Sequence, residues 1–192
     1  MLKLILSGQE NGLLCVLLEN GKAIRLARQE EESVRLGDIY RARVQTVLSG
    51  VRSAFADIGE CRVYLSTAGR KLKKGEEVTV QISQEAQGLK LASASGELSL
   101  AGKYLVLETN PGLLAFSRRG EFSLPQKQEA EKVLAPWKES FGFIARTQAA
   151  CASGEELKAE AFRLAEQMEQ ILSRAEHSPS PTRLFSGPPV WQ

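Results

Sequence analysis

The chain has 192 residues, 43% hydrophobic and 25% charged, with a formal net charge of +2, enough apolar material for one large domain or two small ones with a real core. No stretch approaches the roughly 20 apolar residues of a membrane span, and the start MLKLILSGQENG turns polar too soon for a signal peptide, so the expected compartment is the cytoplasm, with no membrane as partner. Cys15, Cys61 and Cys151 lack the spacing of a disulfide framework or a zinc site, and two aspartates (Asp38, Asp57) with one histidine (His177) leave almost nothing for a two-metal hydrolytic site or a Ser-His-Asp triad.

Leu2 to Leu6 and Leu13 to Glu19 are apolar runs, and the second ends in Asn20-Gly21, the dipeptide suited to a type I′ hairpin turn; Lys22 to Arg28 completes the hairpin. This predicts three antiparallel strands in residues 1–35, too few to stand alone and in need of a partner layer. The acidic linker Gln29 to Glu32 separates them from residues 36–98, where period-two alternation is broken repeatedly by turn residues. Ile39 to Leu48, Arg52 to Ile58, Cys61 to Leu65, Glu77 to Ser83 and Leu89 to Ser93 read as the five short strands of an OB barrel.

Beyond the barrel, residues 99–180 predict an α+β subdomain. Lys103 to Glu108 and Leu113 to Ser117 read as a strand pair across Thr109-Asn110-Pro111-Gly112, Pro125 to Leu134 as a short helix, and Phe143 to Arg146 as a buried strand. Ser153 with Glu156 matches a capping box, and Glu155 to Glu176 carries Leu157, Ala161, Leu164, Met168, Ile171 and Ala175 as one apolar stripe. That stripe suits an intramolecular packing face, with self-association or docking of a further domain through the 155–176 helix as the alternative. Residues 181–192 show no periodicity and are expected to be an irregular, truncated tail, cut where a longer protein would re-enter a sheet. The fold class is therefore α+β, a five-stranded OB barrel inserted after a three-stranded antiparallel start and followed by a subdomain with one long helix.

Two barrel aromatics sit on the wrong parity. Ala54, Ala56 and Ile58 share one face of their strand, leaving Phe55 on the polar face, and Val63 and Leu65 leave Tyr64 beside Arg62. Adjacent aromatics on a solvent face form a base-stacking platform; the alternative is that both pack under a loop or against another domain. Lys90 alternates away from Leu89 and Leu91 and can offer a phosphate contact, and Arg62, Arg70, Lys71, Lys73 and Lys74 form a local basic cluster that is also consistent with an ordinary solvated loop.

Read together, GDIYRARVQTVLSGVRSAFADIG, LAGKYLVLETN, SRR and GFIARTQA resemble, in order and over nearly the whole chain, the amino-terminal part of the ribonuclease E/G family. The resemblance implies the start of a ribonuclease-H-like fold, an inserted OB-fold of the type named for ribosomal protein S-one, and a subdomain that senses the RNA 5′ monophosphate in RNA processing and decay. It places Phe55, Tyr64 and Lys90 on a single-strand-binding surface, with Arg62 beside them, and Gly102, Val106, Arg146 and Thr147 in the 5′-phosphate pocket. This sequence departs from the family in three places: the long insertion after the third barrel strand is reduced to STAGRKLKKG, a lysine-glycine pair is Lys90-Leu91, and the small residue after Arg146-Thr147 is Gln148. The family is a magnesium-dependent endoribonuclease, but its two magnesium-binding aspartates and zinc-linking cysteine motif have no counterpart here. The chain itself is therefore expected to hold no catalytic residue, metal or other cofactor, and not to cut RNA alone.

Three functions follow as alternatives. The leading one is a module that binds single-stranded RNA, preferably 5′-monophosphorylated. A second is a non-catalytic paralogue that docks proteins or binds RNA, and a third is a complete nuclease using Asp57, Glu60 and Glu85 around a cation.

Overall fold

The computed structural model describes residues 1–10, 12–30, 34–67 and 69–188, with the side chains of Gln9, Gln29 and Glu30 outside the description. Strands β1 (Leu2–Gln9), β2 (Gly12–Glu19) and β3 (Lys22–Glu30) form the expected antiparallel meander. Asn20 and Gly21 both take positive φ, as a type I′ turn requires. Apolar residues occupy both parities of these strands. Leu2, Leu4, Leu6, Ile24 and Leu26 are all exposed, and Cys15 is the sheet's one buried side chain among the described residues.

The barrel comprises β4 (Ile39–Leu48), β5 (Ser53–Asp57), β6 (Arg62–Ser66), β7 (Glu77–Gln84) and β8 (Ser93–Ser95). Its neighbours run β4-β5-β6-β8-β7, with β6 and β8 parallel and β4 closing on β7, so the sheet has no open seam. Small residues at alternate positions, Ala42, Ala54, Ala56, Ala92 and Ala94, leave room inside for Tyr40, Val44, Val63, Leu65, Val80 and Ile82. The last strand differs from the expected Leu89 to Ser93. Residues 87–90 close a turn in which Gln87 and Lys90 pair with each other, and pairing with β6 and β7 starts only at Ser93. A strand of three residues is too short for alternation to mark its ends.

The third unit is a four-stranded sheet of β9 (Ser99–Ala101), β10 (Leu105–Glu108), β11 (Leu114–Phe116) and β12 (Gly142–Ala145), with α1 (Leu124–Leu134) and α2 (Gly154–His177). The expected hairpin of β10 with β11 is not formed. The order is β11-β12-β10-β9, and β12 lies between the two, antiparallel to β10 and parallel to β11. Buried Phe143 and Ala145 of β12 join Leu105 and Leu107 in the core, so the strand that arrives later in the chain takes the central place. All six residues of the α2 stripe are buried in that same core, while Phe162 of the same helix is exposed. Its N-terminus carries the full capping box between Ser153 and Glu156.

Residues 182–185 also differ from the irregular tail the sequence predicts for 181–192. Thr182–Phe185 forms β13, which pairs antiparallel with β4 on the barrel's outside and sends Leu184 into the core under α2. The last residues of this tail, 189–192, lie outside the description. The seam is held by Asp38, fully buried, whose carboxylate accepts from Arg35 N (3.0 Å), Gly187 N (2.7 Å) and the Tyr40 hydroxyl (3.3 Å). Burial, reinforced by Asp38 and Glu60, pushes the Tyr40 phenol above its usual pKa range, so it remains a donor.

Two measurements check this description. Asp38→Ala strands buried donors and should lower stability by about 3 kcal/mol, seen as a drop in Tm of roughly 6–12 °C. Glu156 is held below the usual carboxylate range by the Ser153 backbone hydrogen bond and the Tyr104 hydroxyl. A depressed folded-state pKa contributes stability above the ordinary carboxylate pKa, and that contribution is lost as pH falls through the lower folded value. Glu156→Gln keeps the reciprocal cap without a proton to gain, so acid unfolding followed by circular dichroism should be shallower in that variant.

Candidate nucleic-acid interface

Alternation along β5 and β6 places Phe55 and Tyr64 directly opposite each other on the outer face of the barrel. Their centroids are 6.0 Å apart at an interplanar angle of 72°, an edge contact that leaves both rings partly exposed. The hydroxyls of Ser53 and Tyr64 hydrogen-bond, which fixes the phenol ring. The Arg62 guanidinium lies 4.8 Å from the Phe55 centroid, over its face. Three of the four predicted barrel residues are thus together: two immobilised rings and a cation that can meet a base or a phosphate. Lys90 is exposed in the turn before β8, the strand that pairs with β6 beside Tyr64. Exposed Arg52, Arg70, Lys71, Lys73 and Lys74 add positive charge to the loops.

The other predicted group lies on the four-stranded sheet. Ala101, Val106, Ile144 and Ala115 are direct cross-strand partners in a single row running from β9 to β11. This parity is opposite to that of the buried Leu105, Leu107, Phe143 and Ala145, so the row forms a small apolar shelf on the sheet's other face. Two positions on from Ile144, Arg146 leaves the end of β12 with the same parity, followed by exposed Thr147. The Arg146 guanidinium donates to the Gly102 carbonyl, and the Thr147 hydroxyl pairs with that of Ser117 at 3.0 Å. Among the described residues the guanidinium forms no ion pair with a carboxylate. Gly102, Val106, Arg146 and Thr147 are therefore brought to one corner of the sheet.

Two participants were not anticipated. Ser117 is visible in the sequence only as the residue before Arg118-Arg119. Glu160 on α2 fills the space that the absent side chain of Gly102 leaves, since a Cβ there would lie 2.5 Å from its carboxyl carbon. Nothing local distinguishes Glu160 from the chain's other glutamates.

The acids of the nuclease alternative are occupied elsewhere. Asp57 accepts from Gly59 N at 2.9 Å, Glu60 pairs with Arg183 at 2.6 Å, and Glu85 accepts from Leu36 N at 3.1 Å. Among the described residues no three His, Cys, Asp or Glu side chains are grouped to hold a metal ion, so these residues do not fit a magnesium site. No described helix is long and apolar enough to cross a membrane. Of the three free cysteines, Cys15 is buried while Cys61 and Cys151 are exposed; partial burial and the carboxylates of Glu60 and Asp57 hold the Cys61 thiol above its usual pKa.

Residues 99–192 match the sequence model of the Ribonuclease E/G family. The chain is 26% identical to Ribonuclease G of Haemophilus influenzae over 216 residues, 99% of this chain and 44% of that protein. It is 25% identical to Ribonuclease G of Escherichia coli K12 over 84% of this chain and 38% of that protein. Identity to Ribonuclease E of the same organism is 33% over 75% of this chain and 16% of that protein. The chain thus spans less than half the length of the curated relatives it matches.

The platform's contribution is measurable directly. Phe55→Ala should weaken binding of a short single-stranded RNA by about 1–3 kcal/mol in fluorescence anisotropy. Its melting temperature should change little, because the ring is outside the barrel core; a large fall in Tm would reassign Phe55 to packing.

Proposed function

The chain belongs to the ribonuclease E/G family, and on that premise we propose that it binds single-stranded RNA along the barrel and senses a 5′ monophosphate at the Arg146 corner, in RNA processing and decay in the cytoplasm. In this reading the bases stack on Phe55 and Tyr64 while Arg62 and Lys90 meet the backbone. In this reading the cutting step, with its magnesium and zinc, belongs to the family's catalytic portion.

The observation that carries the sensing half is Arg146. It leaves a core strand whose main chain is fixed on both sides, and its guanidinium rests on a carbonyl rather than a carboxylate. A guanidinium paired with a carboxylate would have its fork filled and its charge neutralised; one resting on Gly102 O keeps its charge and further donors for phosphate oxygens. Thr147 and Ser117 add two hydroxyls beside it, and the shelf of Val106 and Ile144 gives the first nucleotide an apolar surface about two residues from the phosphate.

Charge-assisted hydrogen bonds of roughly 1.5–3 kcal/mol imply that a 5′-monophosphorylated oligonucleotide binds about tenfold or more tightly than its 5′-hydroxyl twin. Arg146→Ala should remove that difference and leave the barrel's own affinity in place. Equal binding of the two oligonucleotides by the unsubstituted chain would refute the sensing half, and loss of all RNA binding on Phe55→Ala and Lys90→Ala together would locate recognition in the barrel alone.

A further inference from the structure

Helix α2 delivers one carboxylate into the turn ahead of β10. Glu160 Oε1 accepts from Lys103 N, and Oε2 accepts from Tyr104 N and Leu105 N, all at 2.7 Å. Its side chain is only 10% exposed. Three consecutive amides converging on one anion form a nest of the kind that holds phosphate or carboxylate groups. Here the anion comes from the chain's own helix, and Gly102 provides the room, because a methyl group there would lie 2.5 Å from the carboxyl carbon and 2.6 Å from Oε1.

The other ends of these peptide groups face Arg146. A trans peptide is planar, with its N–H and C=O pointing in opposite directions. The unit joining Gly102 to Lys103 sends its N–H to Glu160 and accepts the Arg146 guanidinium on its carbonyl. The unit joining Tyr104 to Leu105 sends its N–H to Glu160 and accepts Arg146 N on its carbonyl at 2.7 Å. Main chain and guanidinium of Arg146 are thus both tied to Glu160, each through one intervening peptide. Hydrogen bonds chained in this way polarise one another, so the carboxylate strengthens both carbonyls as acceptors.

We propose that Glu160 is a positioning residue for Arg146, setting the guanidinium through two peptide groups without touching the ligand. This rests on the proposed 5′-phosphate reading. The relay solves a geometric difficulty of an exposed anion-binding arginine. A carboxylate in direct contact would hold the side chain still but occupy the donors a phosphate needs, whereas one placed behind two peptides holds it still and leaves those donors outward. Because the nest is already filled, recognition falls to the Arg146 and Thr147 side chains.

The test compares 5′-monophosphorylated and 5′-hydroxyl RNA of one sequence on the full chain, with Glu160→Gln and Gly102→Ala as independent variants. Glu160→Gln keeps the side chain's size but puts an NH2 donor where an acceptor oxygen met an amide. Gly102→Ala keeps the carboxylate and displaces it from the nest. In either variant the monophosphate preference should fall from about tenfold to below about twofold, and in Glu160→Gln the affinity for the 5′-hydroxyl RNA stays within about twofold of the unsubstituted chain. The Arg146 Nε–H resonance in a ¹⁵N NMR spectrum of the free protein should move in both variants, a signature that a purely structural role of Glu160 would leave unchanged. If Glu160→Gln does not fold, Gly102→Ala carries the test. A preference that survives in a folded variant, or an unmoved Arg146 resonance, overturns the inference alone. Loss of affinity for both RNAs in proportion also overturns it, since Glu160 would then only support the fold. An unsubstituted chain without any preference overturns the sensing reading and this inference together.

Discussion

Three consecutive residues, Asp38 and the first two of β4, hold the structure together. Asp38 is a fully buried carboxylate, Ile39 points into the core shared by the helices and the four-stranded sheet, and Tyr40 points into the barrel core. Alternation thus assigns neighbouring residues to different cores, and one strand serves both units. β13 then returns from α2 to pair with this same stretch, and Gly187 just beyond it donates to Asp38. A carboxylate buried there is tolerable only because its acceptor capacity is satisfied by donors from both sides of the seam. The barrel and the helical subdomain are consequently tied at one point by main-chain pairing, a charge-assisted hydrogen bond and two cores at once.

What was legible in the sequence follows from the range of the interactions involved. Alternation between Ala54, Phe55, Ala56 and Val63, Tyr64, Leu65 is local, and it placed both aromatics on the outer face. The α2 stripe and the Ser153–Glu156 cap are equally local, and both are present as expected. Illegible features are those in which distant segments decide the outcome. Nothing in Leu113 to Ser117 indicates that Gly142–Ala145 will come between it and β10, because the good turn at residues 109–112 suits a hairpin equally well. Likewise Thr182–Phe185 has no periodicity of its own and becomes a strand where Ile39–Arg41 of β4 runs past its pairing with β5.

The site shows the same division. Phe55, Tyr64 and Arg62 are close in sequence and cross-strand neighbours, so one alternation argument reaches all three. Gly102 and Arg146 were named through a resemblance, and their contact runs across 44 residues. The resemblance places Gly102 in a pocket without indicating what lies against it, and the space its missing side chain leaves is filled by Glu160. A glutamate on a helix is ordinarily solvated; only the tertiary position of three amides turns this one into an internal anion.

The two proposed RNA contacts are mechanically continuous. From the Phe55 strand the chain passes directly into Gly59 and Glu60, where Gly59 lies against Pro181 and Glu60 pairs with Arg183. Pro181 and Arg183 belong to the strap that follows α2, and α2 carries Glu160, whose amide partners hold Arg146. Each link is a packed or hydrogen-bonded contact, so the platform and the Arg146 corner are connected through the seam. For an RNA that reaches both, the second contact forms at an effective concentration set by the length of the intervening nucleotides rather than by bulk RNA. On the proposed reading, a rigid seam would let two sequence-tolerant contacts act together and favour strands whose 5′ end lies at a defined distance from the stacked bases, a discrimination that neither surface would make alone.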